Sequence, residues 1–218
     1  MSSNAMRFIE TPVRTGTGAL EITVRPNAMA EVGDDGQPTE RAELREAPDV
    51  RLKMGMEAWY AFSFFLPSDF PIVDTRLVIA RWKQSFRESW KNRSPMIALR
   101  YMGGQMILDV TRDRGQRRVF VEKTDLRNQW VDMVFYIKPL ASTIIPSRFK
   151  EGRLQVWRNG RMIVDYQGTL GYVDDEDEIY FKLGLYRDHL PVPMRIVYDR
   201  FRRGGSLDEV SISALPGK

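Results

Sequence analysis

Hydrophobic and polar residues alternate with a period of two along most of this chain, and sustained helical periodicity is hard to find. Such alternation is typical of a β-strand with one buried face, because successive side chains point to opposite sides of the strand. The best strand candidates are residues 57–66, 77–84, 96–101, 105–111, 118–122, 130–137, 179–186 and 194–198, with 207–214 as a candidate closing strand. The pattern therefore predicts an all-β protein.

Turn residues separate these runs at short intervals. The clearest case is Asn159-Gly160, which stands between two alternating segments. A type I′ hairpin turn needs positive φ at both central residues, and Asn-Gly meets that need. The chain shows neither a linker nor a repeat, so we predict a two-sheet antiparallel β-sandwich that forms a single domain of residues 6–218.

Three segments, interpreted as strands, place an unusual polar set on one face and apolar residues on the other. The polar sets are Arg41, Glu43 and Arg45 in the first segment, Arg81 and Lys83 in the second, and Tyr180, Lys182, Gly184 and Tyr186 in the third. Antiparallel sheets commonly have one solvated face, so each set is open to that simpler interpretation. The phenols on the third face, and a glycine expected to leave room for a ligand, favour a binding site instead.

The set on residues 41–45 has a more specific interpretation. Two arginines flank a glutamate on one strand face, which suggests a network that holds guanidinium groups in a fixed orientation. Oriented guanidinium groups are well suited to binding a carboxylate. The ligand expected at this face is therefore anionic.

Composition and charge narrow the classes of function. The 218 residues include 33 basic and 29 acidic side chains, which gives a net charge of +4 and favours a polyanionic partner. Cysteine is absent and His189 is the single histidine, which excludes disulfides, thiolate chemistry and a multi-histidine metal site. No apolar run approaches the length of a membrane span. Residues 1–5 lack the apolar core of a signal peptide, and we interpret them as an expression scar, so a native leader could have been replaced there.

The three polar segments resemble motifs of the jelly-roll polysaccharide lyases. The segments are Arg41-Ala42-Glu43-Leu44-Arg45, Arg81-Trp82-Lys83 and Tyr180-Phe181-Lys182-Leu183-Gly184-Leu185-Tyr186-Arg187. Alginate lyases, glucuronan lyases and the heparin lyase I-like group share such motifs, and the bacterial heparin lyase I-like family is the most similar. The resemblance extends from about Glu40 to Val210.

The resemblance implies a concanavalin-like β-jelly roll with a concave groove for an anionic, uronate-containing polysaccharide or oligosaccharide. It implies cleavage by β-elimination, without a metal or other cofactor, and a secreted or periplasmic location. Tyr186 matches the catalytic tyrosine of the family. The positions implied to contact the substrate are Arg41, Glu43, Arg45, Tyr180, Lys182 and Arg187.

The middle motif departs from the family. Relatives often have glutamine and histidine where this chain has Arg81 and Lys83. Arg81 is expected to neutralise the uronate carboxylate in place of the glutamine. Lysine is a poor base at neutral pH unless neighbouring cations favour its neutral form. Two alternatives follow: Lys83 takes the proton and Tyr186 donates one, or Tyr186 does both.

Other classes of function fit less well. A non-catalytic, lectin-like module on the same sandwich needs the basic groove but no base, so it stands as the main alternative. A glycoside hydrolase needs two carboxylates across the scissile bond, and the polar faces supply only Glu43. Nucleic-acid binding has no recognition helix or basic tract to support it. We expect neither a nucleic-acid nor a membrane partner, and no feature favours a particular oligomeric state.

Overall fold

Two β-sheets pack face to face in the computed structural model of this chain. The structure describes residues 5–28, 31–32, 36–84, 93–113, 115–140, 152–172 and 178–211. Every strand pairing within these ranges is antiparallel except that of β14 with β9. The predicted all-β, two-sheet sandwich is therefore confirmed.

The strands divide between a seven-stranded and a nine-stranded sheet. The order in the seven-stranded sheet is β1 (Met6–Ile9), β2 (Ala19–Val24), β16 (Met194–Gly204), β6 (Ala58–Phe65), β11 (Trp130–Lys138), β12 (Arg153–Arg158) and β13 (Arg161–Gln167). The order in the nine-stranded sheet is β10 (Gly115–Lys123), β9 (Gln105–Asp113), β8 (Ile97–Met102), β7 (Leu77–Gln84), β15 (Glu178–Asp188), β4 (Pro38–Arg45) and β3 (Glu31–Val32), with β14 (Gly171–Tyr172) beside β9 and β5 (Leu52–Lys53) beside β15. A short 3-10 helix spans Pro48–Val50, and the helix α1 spans Leu207–Val210.

The core lies between the two sheets and is rich in aromatic rings. Trp82 of β7 contacts Phe135 and Phe181 at ring-centroid distances of 4.6 and 4.7 Å. Phe62 stacks on Phe135 from the neighbouring strand at 5.8 Å. These residues occupy the apolar positions of the alternating pattern, so their polar neighbours in sequence point away from the core.

The predicted hairpin is present between β12 and β13. Asn159 and Gly160 have φ values of 48° and 79°, as a type I′ turn requires. The turn fixes the register of the two strands at this edge of the seven-stranded sheet.

The expected closing strand over residues 207–214 is wrong for the residues that the structure describes. Leu207–Val210 forms α1 instead, and its N-cap Ser206 accepts a hydrogen bond from the Glu209 backbone N–H. The Glu209 carboxylate accepts from the backbone N–H of Gly205, one residue before the N-cap, at 3.0 Å. Ser206 and Glu209 have the spacing of a capping box, a helix signal that outweighs the local alternation. No helix within the described ranges is long and apolar enough to span a bilayer.

Candidate active site

Three neighbouring strands of the nine-stranded sheet bring the polar faces together. β15 lies between β4 and β7, and Lys182 pairs with Arg45 on one side and with Arg81 on the other. Tyr186 pairs with Arg41 of β4. Paired residues point to the same side of a sheet, so these side chains share the face turned away from the core. We call this face the basic face.

Glu43 is the junction of the basic face. Its carboxylate Oε2 accepts from Arg81 Nη2 at 2.6 Å and from Lys182 Nζ at 3.0 Å. Burial disfavours the charged form of Glu43, but the charges of Arg81 and Lys182 outweigh it and hold the pKa of the carboxyl below its usual value. The sequence suggested that Glu43 is bound by Arg41 and Arg45 of its own strand, whereas the bonds described here come from β7 and β15.

The charge of Lys182 is more easily lost than that of an exposed lysine. Burial lowers the pKa of Lys182 to about 8, and the charges of Arg81 and Arg41 act in the same direction, while Glu43 opposes them. A lysine with this pKa is partly neutral near neutral pH. It is able to exchange protons under conditions in which an exposed lysine stays charged.

Tyr186 lies between two guanidinium groups. Arg81 Cζ is 4.3 Å from the centroid of the Tyr186 ring, within cation–π distance. Arg76 Nη1 donates a hydrogen bond to the Tyr186 hydroxyl at 3.3 Å. The arrangement concentrates positive charge around a phenol.

Two arginines of this face were missed in the sequence. Arg76 precedes β7, and Arg100 of β8 binds Asp109 Oδ2 at 2.9 Å. Burial, together with the charges of Arg76 and Arg81, lowers the pKa of Arg100. Alternation of Arg100 with Leu99 and Tyr101, which pack in the core, was a usable signal for its face, whereas nothing local to Arg76 indicated the contact with Tyr186.

Tyr180 and Lys83 lie at the other end of the face. They pair across β15 and β7, and the ring of Tyr180 is nearly buried at 8% exposure. Arg45 and Arg51 lie over that ring, with Cζ at 5.8 and 5.2 Å from its centroid. Lys83 is half-buried beside it.

The expected substrate contact of Arg187 is wrong. Arg187 is completely buried, since it follows Tyr186 on the strand and points to the opposite side. Its Nε donates to Glu40 Oε2 at 2.9 Å and its Nη1 to the Val192 carbonyl at 2.7 Å. His189 Nδ1 lies 2.9 Å from the other oxygen of Glu40. Arg187 therefore neutralises a buried carboxylate and has no access to a surface ligand.

The interpretation of Gly184 as space for a ligand is also wrong. Gly184 has a φ of 144°, and a Cβ there would lie 2.2 Å from the Ala42 carbonyl oxygen and 2.8 Å from Glu43 Cα. The missing side chain leaves room for the backbone of β4. The glycine thus allows β4 and β15 to pair closely beside the Glu43 junction.

No group of three or more His, Asp or Glu side chains within the described ranges is arranged to hold a metal ion. Among the described residues of the basic face, the carboxylates of Glu43, Asp109 and Asp188 are each engaged by an arginine or a lysine. This set suits an anionic ligand that is bound and polarised by guanidinium and ammonium groups.

Comparison with known proteins gives a family and a fold. A family model described as polysaccharide lyase matches residues 2–202. The structure of an endo-β-1,4-glucuronan lyase from the fungus Trichoderma reesei superposes with a TM-score of 0.74 at 17% identity, covering 96% of this chain and 91% of that one. Alginate lyase A1-II′ of polysaccharide lyase family 7 gives 0.63 at 14% identity, with 94% and 84% covered. Alginate lyase AlyC3 gives 0.58 at 8% identity, with 85% and 74% covered. A search of curated proteins gives no match.

Proposed function

The chain belongs to the polysaccharide lyase family, and on that premise we propose that it cleaves a uronate-containing anionic polysaccharide by β-elimination on the basic face. The observation that supports this best is the contact of Arg81 with both Glu43, at 2.6 Å, and the ring of Tyr186, at 4.3 Å. A fixed cation beside a phenol provides two groups that elimination from a uronate requires. One neutralises the carboxylate, and the other transfers a proton.

The proposed reaction balances without an added reagent. A base removes the proton on C5, which the neutralised carboxylate has made more acidic. The electron pair of that C–H bond forms the C4–C5 double bond while the bond from C4 to the glycosidic oxygen breaks. An acid protonates the departing oxygen. The products are a new chain end and an unsaturated uronate.

We assign the acid to Tyr186 and the neutralising cation to Arg81. Arg41, Arg45, Lys182 and Tyr180 contact the polymer in this proposal, and Glu43 orients Arg81 and Lys182. For the base we propose Lys83, which is half-buried on the same face. The alternative is that Tyr186 takes the C5 proton and then delivers it. The activity of Lys83→Ala distinguishes the two. Loss of the base should lower kcat by more than tenfold, whereas a smaller loss supports Tyr186 as both base and acid.

Within the polysaccharide lyases, we propose that the chain belongs to the heparin lyase I-like group. The order of the three motifs along the chain supports this assignment. The catalytic unit proposed is the single domain of residues 6–218, in keeping with a core to which both sheets contribute. A secreted or periplasmic location belongs to the same proposal, because a polymeric substrate does not enter the cytoplasm intact.

The proposal is tested by incubating the protein with a panel of uronate polymers, among them glucuronan, alginate and a heparinoid, and following ultraviolet absorbance. We expect new absorbance from the unsaturated product with at least one polymer and none with a neutral polysaccharide. Tight binding of a polyuronate without new absorbance would replace the lyase with the lectin-like alternative. A protein that neither binds nor cleaves any uronate polymer would contradict both.

A further inference from the structure

We propose that Arg76, held by Asp188, is a positioning residue for the Tyr186 hydroxyl, an inference that rests on the proposed function. Arg76 Nη1 donates to the Tyr186 hydroxyl at 3.3 Å, and Arg76 Nε lies 2.9 Å from Asp188 Oδ1. Neither Arg76 nor Asp188 belongs to the three motifs recognised in the sequence. The Asp188 carboxylate thus orients the Arg76 guanidinium group, which in turn orients the Tyr186 hydroxyl.

Asp188 is attached to the segment before β7 at several points. Its Oδ2 accepts from the Arg76 backbone N–H at 3.0 Å and from the Thr75 hydroxyl. The Asp188 backbone N–H donates to the Arg76 carbonyl at 3.2 Å. Asp188 and Tyr186 lie on the same strand, so the anchor that fixes Arg76 and the phenol that it contacts move together.

The direction of the hydrogen bond is what makes this contact useful. A guanidinium group only donates, so the Tyr186 oxygen is the acceptor of the bond from Arg76. The hydrogen of the Tyr186 hydroxyl then remains available for a different acceptor. In the proposed reaction that acceptor is the departing glycosidic oxygen, and Arg76 stabilises the negative charge that develops on the phenol oxygen.

Arg81 and Arg76 have different positions relative to Tyr186. Arg81 Cζ lies 4.3 Å from the ring centroid, whereas Arg76 Cζ is 5.7 Å from it and reaches the hydroxyl instead. Arg81 is bound to Glu43, and Arg76 is bound to Asp188. Loss of Arg76 is therefore expected to affect proton transfer while leaving the Glu43 junction and substrate binding in place.

The test is a double-mutant cycle of Arg76→Ala and Tyr186→Phe, with kcat and KM measured on a polyuronate that the wild type cleaves. Arg76→Ala alone should lower kcat by about 10- to 100-fold, the worth of one hydrogen bond to a charged group, with little change in KM. In the Tyr186→Phe background, Arg76→Ala should cost less than about threefold, because the hydroxyl on which it acts is gone. Arg76→Lys should lose less than Arg76→Ala, and Asp188→Asn should follow Arg76→Ala in kcat.

Arg195→Ala is the matched control, since Arg195 lies on β16 of the seven-stranded sheet and pairs with the exposed Asp69, and its loss should leave kcat unchanged. A thermal melt of each variant identifies loss of fold, and Arg76→Lys supplies the comparison if Arg76→Ala does not fold. Unchanged kcat in the Arg76 variants, or losses that multiply in the double variant, would overturn the positioning role. Full activity of Tyr186→Phe would instead overturn the proposed function.

Discussion

Glu43 is the residue on which the geometry of the basic face depends. Its side chain is 5% exposed and holds two cations, Arg81 and Lys182, from two neighbouring strands. Removing one charge from a buried network leaves the others uncompensated, which costs far more than breaking a pair on the surface. Glu43 is therefore expected to contribute both to the stability of the fold and to the function of the basic face.

Glu43→Gln should lower the free energy of unfolding by about 3–5 kcal/mol, because the charges of Arg81 and Lys182 then lack their shared counterion. Urea denaturation followed by tryptophan fluorescence measures it. The matched control is Asp69→Asn, which breaks an exposed pair with Arg195 and should cost less than about 1 kcal/mol. Equal small effects of the two substitutions would show that the junction contributes no more than a surface pair.

Lys182 gives the molecule a specific dependence of stability on pH. Its pKa is lowered to about 8 from the ordinary value of 10.5, so between these values the unfolded chain binds more protons at this site than the folded one. Stability contributed by this group therefore rises as pH increases from 8 to about 10. Lys182→Met should remove that rise in the free energy of unfolding, measured by urea titrations across the range. The exposed Lys123 is the control, and Lys123→Met should leave the pH profile as in the wild type.

At the scale of elements, the pairing of β4 with β15 determines how closely the functional side chains approach one another. Gly184 permits that pairing, since a Cβ at this position would meet Ala42 O at 2.2 Å. β7 completes the arrangement from the other side of β15. A site whose floor is made by paired strands keeps its geometry better than one built on loops.

Gly184→Ala should destabilise the fold by more than about 2 kcal/mol and lower kcat, because the positive φ and the contact with β4 both resist a side chain. Thermal and urea unfolding measure the first effect, and the ultraviolet assay the second. Gly115→Ala on β10 is the control, since nothing lies within 4 Å of its Cβ position. If both substitutions behave alike, close pairing at Gly184 is not what holds the face together.

Alternation predicted the faces of β4, β7 and β15 because side-chain direction is a local property of a strand. The same alternation places Arg187 on the core side with Leu185. The expected substrate contact of Arg187 disregarded this alternation, because it came from a motif that runs one residue past Tyr186. Strand order is not local: β7 and β15 are neighbours although about a hundred residues separate them. Contacts that depend on this order, such as Arg76 with Tyr186, were therefore beyond sequence analysis.

For the molecule as a whole, the nine-stranded sheet presents Arg41, Arg45, Arg81 and Lys182 on one face while its other face belongs to the core. The net charge of +4 is small, so the local concentration of arginine and lysine matters more than the total. A polyuronate meets several cations at once, of which Arg41, Arg45 and Lys182 lie on paired strands. Long-range attraction should therefore contribute strongly to binding.

Binding of a polyuronate to the inactive Tyr186→Phe variant should weaken steeply as ionic strength rises, because exposed charges are screened beyond about 8–10 Å at physiological salt. Titration calorimetry at low and high salt measures the change in Kd. A neutral polysaccharide of similar length provides the comparison and should show little dependence on salt. Polyuronate binding that is indifferent to salt would mean that the basic face is not the contact surface.

The most direct test of the account is the turnover of Tyr186→Phe on a polyuronate that the wild type cleaves. The substitution removes one hydroxyl and keeps the ring beneath Arg81, so fold and substrate binding should persist. We predict a fall in kcat of about 10²–10⁴-fold with little change in KM, the usual worth of a positioned proton donor. A loss of less than a few-fold in an active enzyme would contradict the assignment of elimination to Tyr186 and the basic face.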